Sequence, residues 1–183
     1  MKRSTLAAAA AAALISAPAF AALPAGAKAP EFSAPAFQAG TPFQFKLAEA
    51  LKKGPVVLYF FPAAFTPGCS IEAHAFAEAM DKFKAEGATV IGVTAGATDK
   101  LAAFSTDTRY CSGKFPMASD PDAAIAKTYD ATLQFNGATY SSRTSFVIAP
   151  DDTILLAYTD MAPDQHVAQT LDAVTKWREA HPH

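Results

Sequence analysis

Cysteine and charge are both scarce in this chain. There are two cysteines in 183 residues, Cys69 and Cys111, and only 17% of residues are charged. The thiols are not spaced as Cys-x-x-Cys, the pair a disulfide oxidoreductase needs so that its second thiol can release the mixed disulfide. That class is disfavoured from the start. Basic residues form no run and the net charge is −2, so nothing marks a surface for nucleic acid or for an anionic membrane. Beyond the N-terminus there is no second hydrophobic span, no internal repeat and no low-complexity segment.

The exception is the first stretch. Met1-Lys2-Arg3 is a short positive region, Leu6 to Ala17 is an apolar, alanine-dominated run, and Ala19-Phe20-Ala21 supplies small residues before a cut. This pattern is expected to be a secretory signal peptide over 1–21, too short and alanine-rich for a spanning helix. Its removal deletes two basic groups and no acid, moving the net charge from −2 to −4. The remainder, 22–183, is one domain's length with enough apolar content for a core. An exported protein faces an oxidising compartment, periplasmic or extracellular. A structural disulfide is there the default reading of two cysteines.

Strand-like and helix-like segments alternate after a Pro-, Ala- and Gly-rich lead at 24–42, which is expected to form a small edge hairpin. Val56 to Phe61 reads as a buried strand. Ile71 to Glu86 reads as an amphipathic helix with Ile71, Phe76, Met80 and Phe83 facing the core. A second buried strand is expected at 88–94, a weaker helix at 98–110, a short strand at 115–118 and a short helix at 122–129. Two strands at 144–149 and 153–158 flank the turn Pro150-Asp151-Asp152. Pro163 suits a first helical turn, and Val167, Leu171, Val174 and Trp177 mark the core face of the last helix. This order implies a three-layer α/β domain with a central mixed sheet. Thioredoxin-like topology fits, because a cysteine between a buried strand and a helix is where that fold keeps its reactive thiol.

Cys69 holds that position. At a helix N-terminus unpaired N–H groups and the positive end of the dipole collect, a setting that favours thiolate. The local string Pro62-x-x-x-Thr66-x-x-Cys69 resembles the active-site signature of the peroxiredoxins. Phe65-Thr66-Pro67-Gly68-Cys69-Ser70-Ile71-Glu72 looks like their Q-type, bacterioferritin comigratory protein branch. Lys28-Ala29-Pro30-Glu31-Phe32, Phe115-Pro116, Ser119-Asp120-Pro121-Asp122 and Arg143-Thr144-Ser145-Phe146-Val147-Ile148 extend the likeness over the mature domain in family order.

The resemblance implies a thiol peroxidase acting on hydrogen peroxide and organic hydroperoxides, with electrons from a thioredoxin-like or other dithiol donor. It implies no cofactor or metal, and a monomer or homodimer. Cys69 would be the nucleophile and become sulfenic acid. Thr66 would orient the peroxide, Arg143 would sit beside the sulfur, and Pro62 would shield it. Each has a plainer alternative: Thr66 as an N-cap, Arg143 as a solvated charge, Pro62 as a strand end. Glu72 is assigned no role beyond complementing the helix dipole.

The chain departs from the pattern at His74, which occupies the place where many Q-type enzymes carry a second cysteine. Cys111 is then the candidate resolving thiol, expected at the end of the 98–110 helix. A static Cys69–Cys111 disulfide would abolish the nucleophile, and an unpaired Cys111 would make the enzyme a one-cysteine type. A different class also stays open: an exported copper-handling protein of the Sco type, with Cys69, His74 and Cys111 as soft and imidazole ligands. Those proteins use Cys-x-x-x-Cys, and position 73 is Ala73.

Overall fold

The computed structural model describes residues 22–182. The expected signal segment 1–21 lies outside the described residues. No helix among them is long and apolar enough to cross a membrane.

The middle strand explains the architecture. In β3 (Val56–Phe60) every residue is buried, and successive side chains point to opposite faces of the sheet. Val56, Leu58 and Phe60 enter one core, with α1 (Leu47–Leu51) and α4 (Ala124–Thr128) above them. Val57 and Tyr59 enter another, under α2 (Pro67–Ala85), α3 (Leu101–Thr106) and α5 (His166–Ala180). A strand apolar on both faces must be covered on both, and the result is three layers.

β3 pairs in parallel with β4 (Thr89–Thr94), which pairs in parallel with β5 (Met117–Ser119). On its other side β3 is antiparallel to β8 (Thr144–Ile148), and β8 to β9 (Ile154–Thr159). The N-terminal hairpin, β1 (Ser33–Gln38) and β2 (Thr41–Lys46), joins through β1 alongside β5. The order is β2-β1-β5-β4-β3-β8-β9. The expected mixed sheet and three layers are present; the edge hairpin is present too, but it runs from Ser33 to Lys46, past the expected end at 42.

Several elements differ from expectation. The helix at 98–110 is replaced by a 3₁₀ turn at Thr98–Lys100 and the two-turn α3. Asp107 ends it: its carboxylate accepts from the Arg109 backbone N–H at 2.9 Å, a side-chain turn that competes with helix. Ser112 and Gly113 then take positive φ of 52° and 68°. Cys111 thus lies in turns and not on a helix. α2 starts four residues earlier than expected, because Pro67 suits a first helical position. Ile71 is off its core face, 56% exposed; that face runs through Cys69, Ala73, Phe76, Met80 and Phe83. Pro163 sits in a bend before α5. Two elements had no counterpart in the sequence reading. One is α1. The other is the hairpin of β6 (Thr132–Phe135) and β7 (Ala138–Ser141), turned by Asn136-Gly137 at φ 49° and 77°, a dipeptide that is itself a hairpin signal.

Candidate active site

Residues 62–69 leave the carboxyl end of β3 and enter α2. Pro62 is half-buried, and its carbonyl is 3.1 Å from the Thr94 hydroxyl. A Cβ on Gly96 would meet that carbonyl at 2.3 Å, so only glycine lets the two loops pass. Phe65 adopts a positive φ of 62°, and its ring packs on Phe104 at 5.0 Å and Tyr110 at 5.8 Å. Strain of that kind in a bulky residue clusters at functional sites.

Thr66 is the N-cap residue by backbone geometry, with no side-chain capping bond. Its hydroxyl donates instead to the Ala63 carbonyl at 3.0 Å, leaving oxygen lone pairs free on an exposed side chain. Thr66 is thus the N-cap by position, as the plainer alternative expected, but its hydroxyl does not cap the helix. Pro67 has no N–H, and the Ser70 N–H bonds the Thr66 carbonyl at 2.9 Å. Between them the N–H groups of Gly68 and Cys69 lie in the first turn, where no intrahelical acceptor exists.

Cys69 is 1% exposed. Arg143, just before β8, is also buried, and the chain brings it over the start of α2. Its Nη2 lies 3.5 Å from Cys69 Sγ. A Cβ on Gly68 would stand 3.0 Å from the same nitrogen, so the glycine gives the guanidinium its path. Nε donates to the Met161 carbonyl at 3.0 Å, and Nη1 to the Gly68 carbonyl at 3.4 Å and to Glu72 Oε2. The solvated reading of Arg143 is excluded by this geometry.

Glu72, which the sequence left without a role beyond the helix dipole, is part of the site. It is fully buried, not a dipole-complementing surface acid. Burial pushes its carboxyl up to about 8 against the lowering pull of Arg143. The available signal was Arg143 itself, since an arginine at a buried site needs a buried anion. Behind Glu72 stands His166, the first residue of α5, buried beside Ser145 with Nδ1 2.8 Å from Ser145 Oγ.

Cys111 is buried in the same apolar cluster as Cys69, and both thiols are free. Burial pushes the Cys111 thiol well up, with Asp107 adding to it. His74 is elsewhere, half-exposed on the outer face of α2 with Nε2 3.5 Å from Glu78 Oε1. Among the described residues no three His, Cys, Asp or Glu side chains form a metal-binding group.

A thioredoxin-like fold carrying one buried cysteine beneath an arginine at a helix start defines a class of thiol enzymes. The chain belongs to the AhpC/TSA family, whose profile matches residues 25–157. It is 31% identical to the chloroplastic peroxiredoxin Q of Sedum lineare over 121 residues, 66% of this chain and 63% of that relative's length. It superposes on the crystal structure of peroxidoxin BcpB from Mycobacterium tuberculosis with a TM-score of 0.75 at 28% identity, covering 84% of this chain and 97% of that one. Mycobacterium tuberculosis AhpC shares the fold, with a TM-score of 0.73 at 20% identity over 89% of this chain and 97% of that one.

Proposed function

We propose that this protein is a thiol-dependent peroxidase that reduces hydrogen peroxide and organic hydroperoxides through a sulfenic acid on Cys69. One observation carries the reading: Cys69 Sγ lies under Arg143 Nη2 at 3.5 Å in the first turn of α2, in a chain of the AhpC/TSA family. Thiolate sulfur attacks one oxygen of the O–O bond, the bond breaks, and the distal oxygen leaves with the electron pair. It takes a proton and departs as water or alcohol; sulfur has lost two electrons and holds the other oxygen. Thr66, whose own proton is committed to Ala63, accepts from the peroxide O–H and orients it. Arg143 and the free N–H groups of the first turn bear on the oxygens where charge develops. Pro62 closes one wall and limits water.

Cys111, deprotonated once exposed, then attacks the sulfenic sulfur as thiolate. The S–S bond forms, the S–O bond breaks, and the hydroxide takes up a proton and leaves as water, after which an external dithiol of thioredoxin type reduces the disulfide by exchange. Both thiols being buried, this step requires the segment around Cys111 to open. The protein acts after export, with 1–21 removed as a signal and 22–183 as the working domain, periplasmic or secreted, as monomer or homodimer. Fractionation with mass measurement of the mature chain tests the cut.

The catalytic test is Cys69→Ser with hydrogen peroxide and a dithiol protein donor. Serine matches cysteine in shape, so the fold is expected to persist while turnover is abolished. Turnover at the wild-type rate would exclude Cys69 as the nucleophile and remove the reading.

A further inference from the structure

The site holds one fixed positive charge, Arg143, and two groups able to take the negative charge opposite it, Cys69 and Glu72. If Glu72 is ionised it takes the guanidinium for itself, and a thiolate beside it leaves a surplus buried anion, which is costly. The catalytic arrangement therefore depends on where the Glu72 proton sits.

Three observations locate it. Oε2 of Glu72 faces Arg143 Nη1, a donor only, so the proton is not on Oε2. Oε1 is buried with no hydrogen-bond partner. The basic nitrogen beside it is His166 Nδ1, at 3.6 Å. His166 Nε2 is 2.9 Å from the Asp160 carbonyl, an acceptor, so Nε2 carries the ring proton and Nδ1 presents a lone pair. The Ser145 hydroxyl donates to that lone pair at 2.8 Å, so a proton on Glu72 would meet an acceptor already in use. At 3.6 Å the Glu72–His166 approach exceeds a formed hydrogen bond. A proton on Oε1 would nonetheless turn an orphaned acceptor into a donor aimed at a basic nitrogen.

We propose that Glu72 is held as a neutral acid at neutral pH, its proton on Oε1 facing His166 Nδ1, so that the charge of Arg143 is left to Cys69 and the peroxide. His166 is then a positioning residue acting through Glu72, which in the peroxidase reading keeps the arginine available. The surrounding groups agree. Burial pushes the Glu72 carboxyl up to about 8 and the His166 imidazole down. From β3, Tyr59 faces the cluster with a hydroxyl that burial holds neutral. Asp160, whose carbonyl accepts from His166 Nε2–H, has an exposed carboxylate that accepts from the Tyr158 hydroxyl and the Ala162 N–H.

The test is infrared spectroscopy of the reduced protein without peroxide. The expected result is a carboxylic-acid carbonyl band at pH 7 that E72Q lacks, and that vanishes as pH rises through about 8. In H166F the band is lost at lower pH, and H166N, whose amide oxygen can accept at the same place, restores it. Absence of an E72Q-sensitive band at pH 7 overturns the proposal, as does an unchanged titration in H166N and H166F alike. E72Q is nearly isosteric and decides the protonation state even where phenylalanine at 166 prevents folding. A second arm follows peroxide consumption against pH: the wild-type rate is expected to fall on the alkaline side as Glu72 ionises, and that of E72Q to stay level. A band behaving as expected in a protein that consumes no peroxide at any pH would retain the proton assignment and remove the peroxidase reading.

Discussion

Arg143 joins Cys69, Gly68, Glu72 and Met161 through one planar group, which lysine cannot imitate because its ammonium offers no fork. Arg143→Met removes the cation while keeping the apolar stem. The rate of Cys69 oxidation by peroxide is expected to fall by the equivalent of about 2.7–4 kcal/mol, as for loss of one oxyanion donor, when measured by stopped-flow competition. An unchanged rate would place Arg143 outside the peroxide step. Pro62, Thr66 and Cys69 can be named from one local motif, and Arg143 from a separate string 74 positions after Cys69 that the fold brings to the thiol. Glu72 and His166 can be named from neither. An acid early in a helix is ordinarily exposed, and only the return of the chain at Arg143, 71 positions later, turns Glu72 into a buried partner.

The loop after α3 decides how the two cysteines could meet. The segment from Thr98 to Tyr110 holds no proline or glycine to break the weaker helix expected there, but Asp107 and the Ser112-Gly113 pair supply local turns that win over it. Tyr110, beside Cys111, is locked against Phe65 and Phe104, so opening for disulfide formation must separate these rings. Cys111→Ala is the apt variant, since serine would bury an unpartnered hydroxyl. It is expected to react with one equivalent of peroxide at the wild-type rate, then lose most turnover with a dithiol protein donor and accumulate sulfinic acid, seen by intact mass. In the oxidised wild type, amide hydrogen exchange is expected to rise across 107–116 and to recover on reduction. Full turnover by the variant would make the donor attack the sulfenic acid directly, with Cys111 a bystander.

Across the whole molecule, the layers were legible because the central strands are apolar on both faces, and because strand-helix alternation implies parallel pairing with covered faces. The neighbours at the edges were not: nothing local in Ser33–Gln38 says that it lies beside Met117–Ser119. The buried Glu72–His166 pair reports on this global closure, because it is desolvated only when α2, β8 and α5 are together. Its pH signature has a definite sign. The Glu72 carboxyl rises from an ordinary 4.5 to about 8 on folding, so between those values the native state holds a proton the unfolded chain has released. Stability from this group therefore falls as pH rises through the interval. His166 acts in the opposite sense: its imidazole is lowered from 6.5 by burial, so the unfolded chain binds the extra proton below 6.5 and stability from this group rises with pH up to that value. Between pH 6.5 and about 8 the carboxyl acts without the imidazole. Urea unfolding of the wild type is expected to show a falling midpoint over that window, and E72Q, which carries no such proton, a flatter one. Parallel slopes in the two proteins would mean that Glu72 does not titrate there.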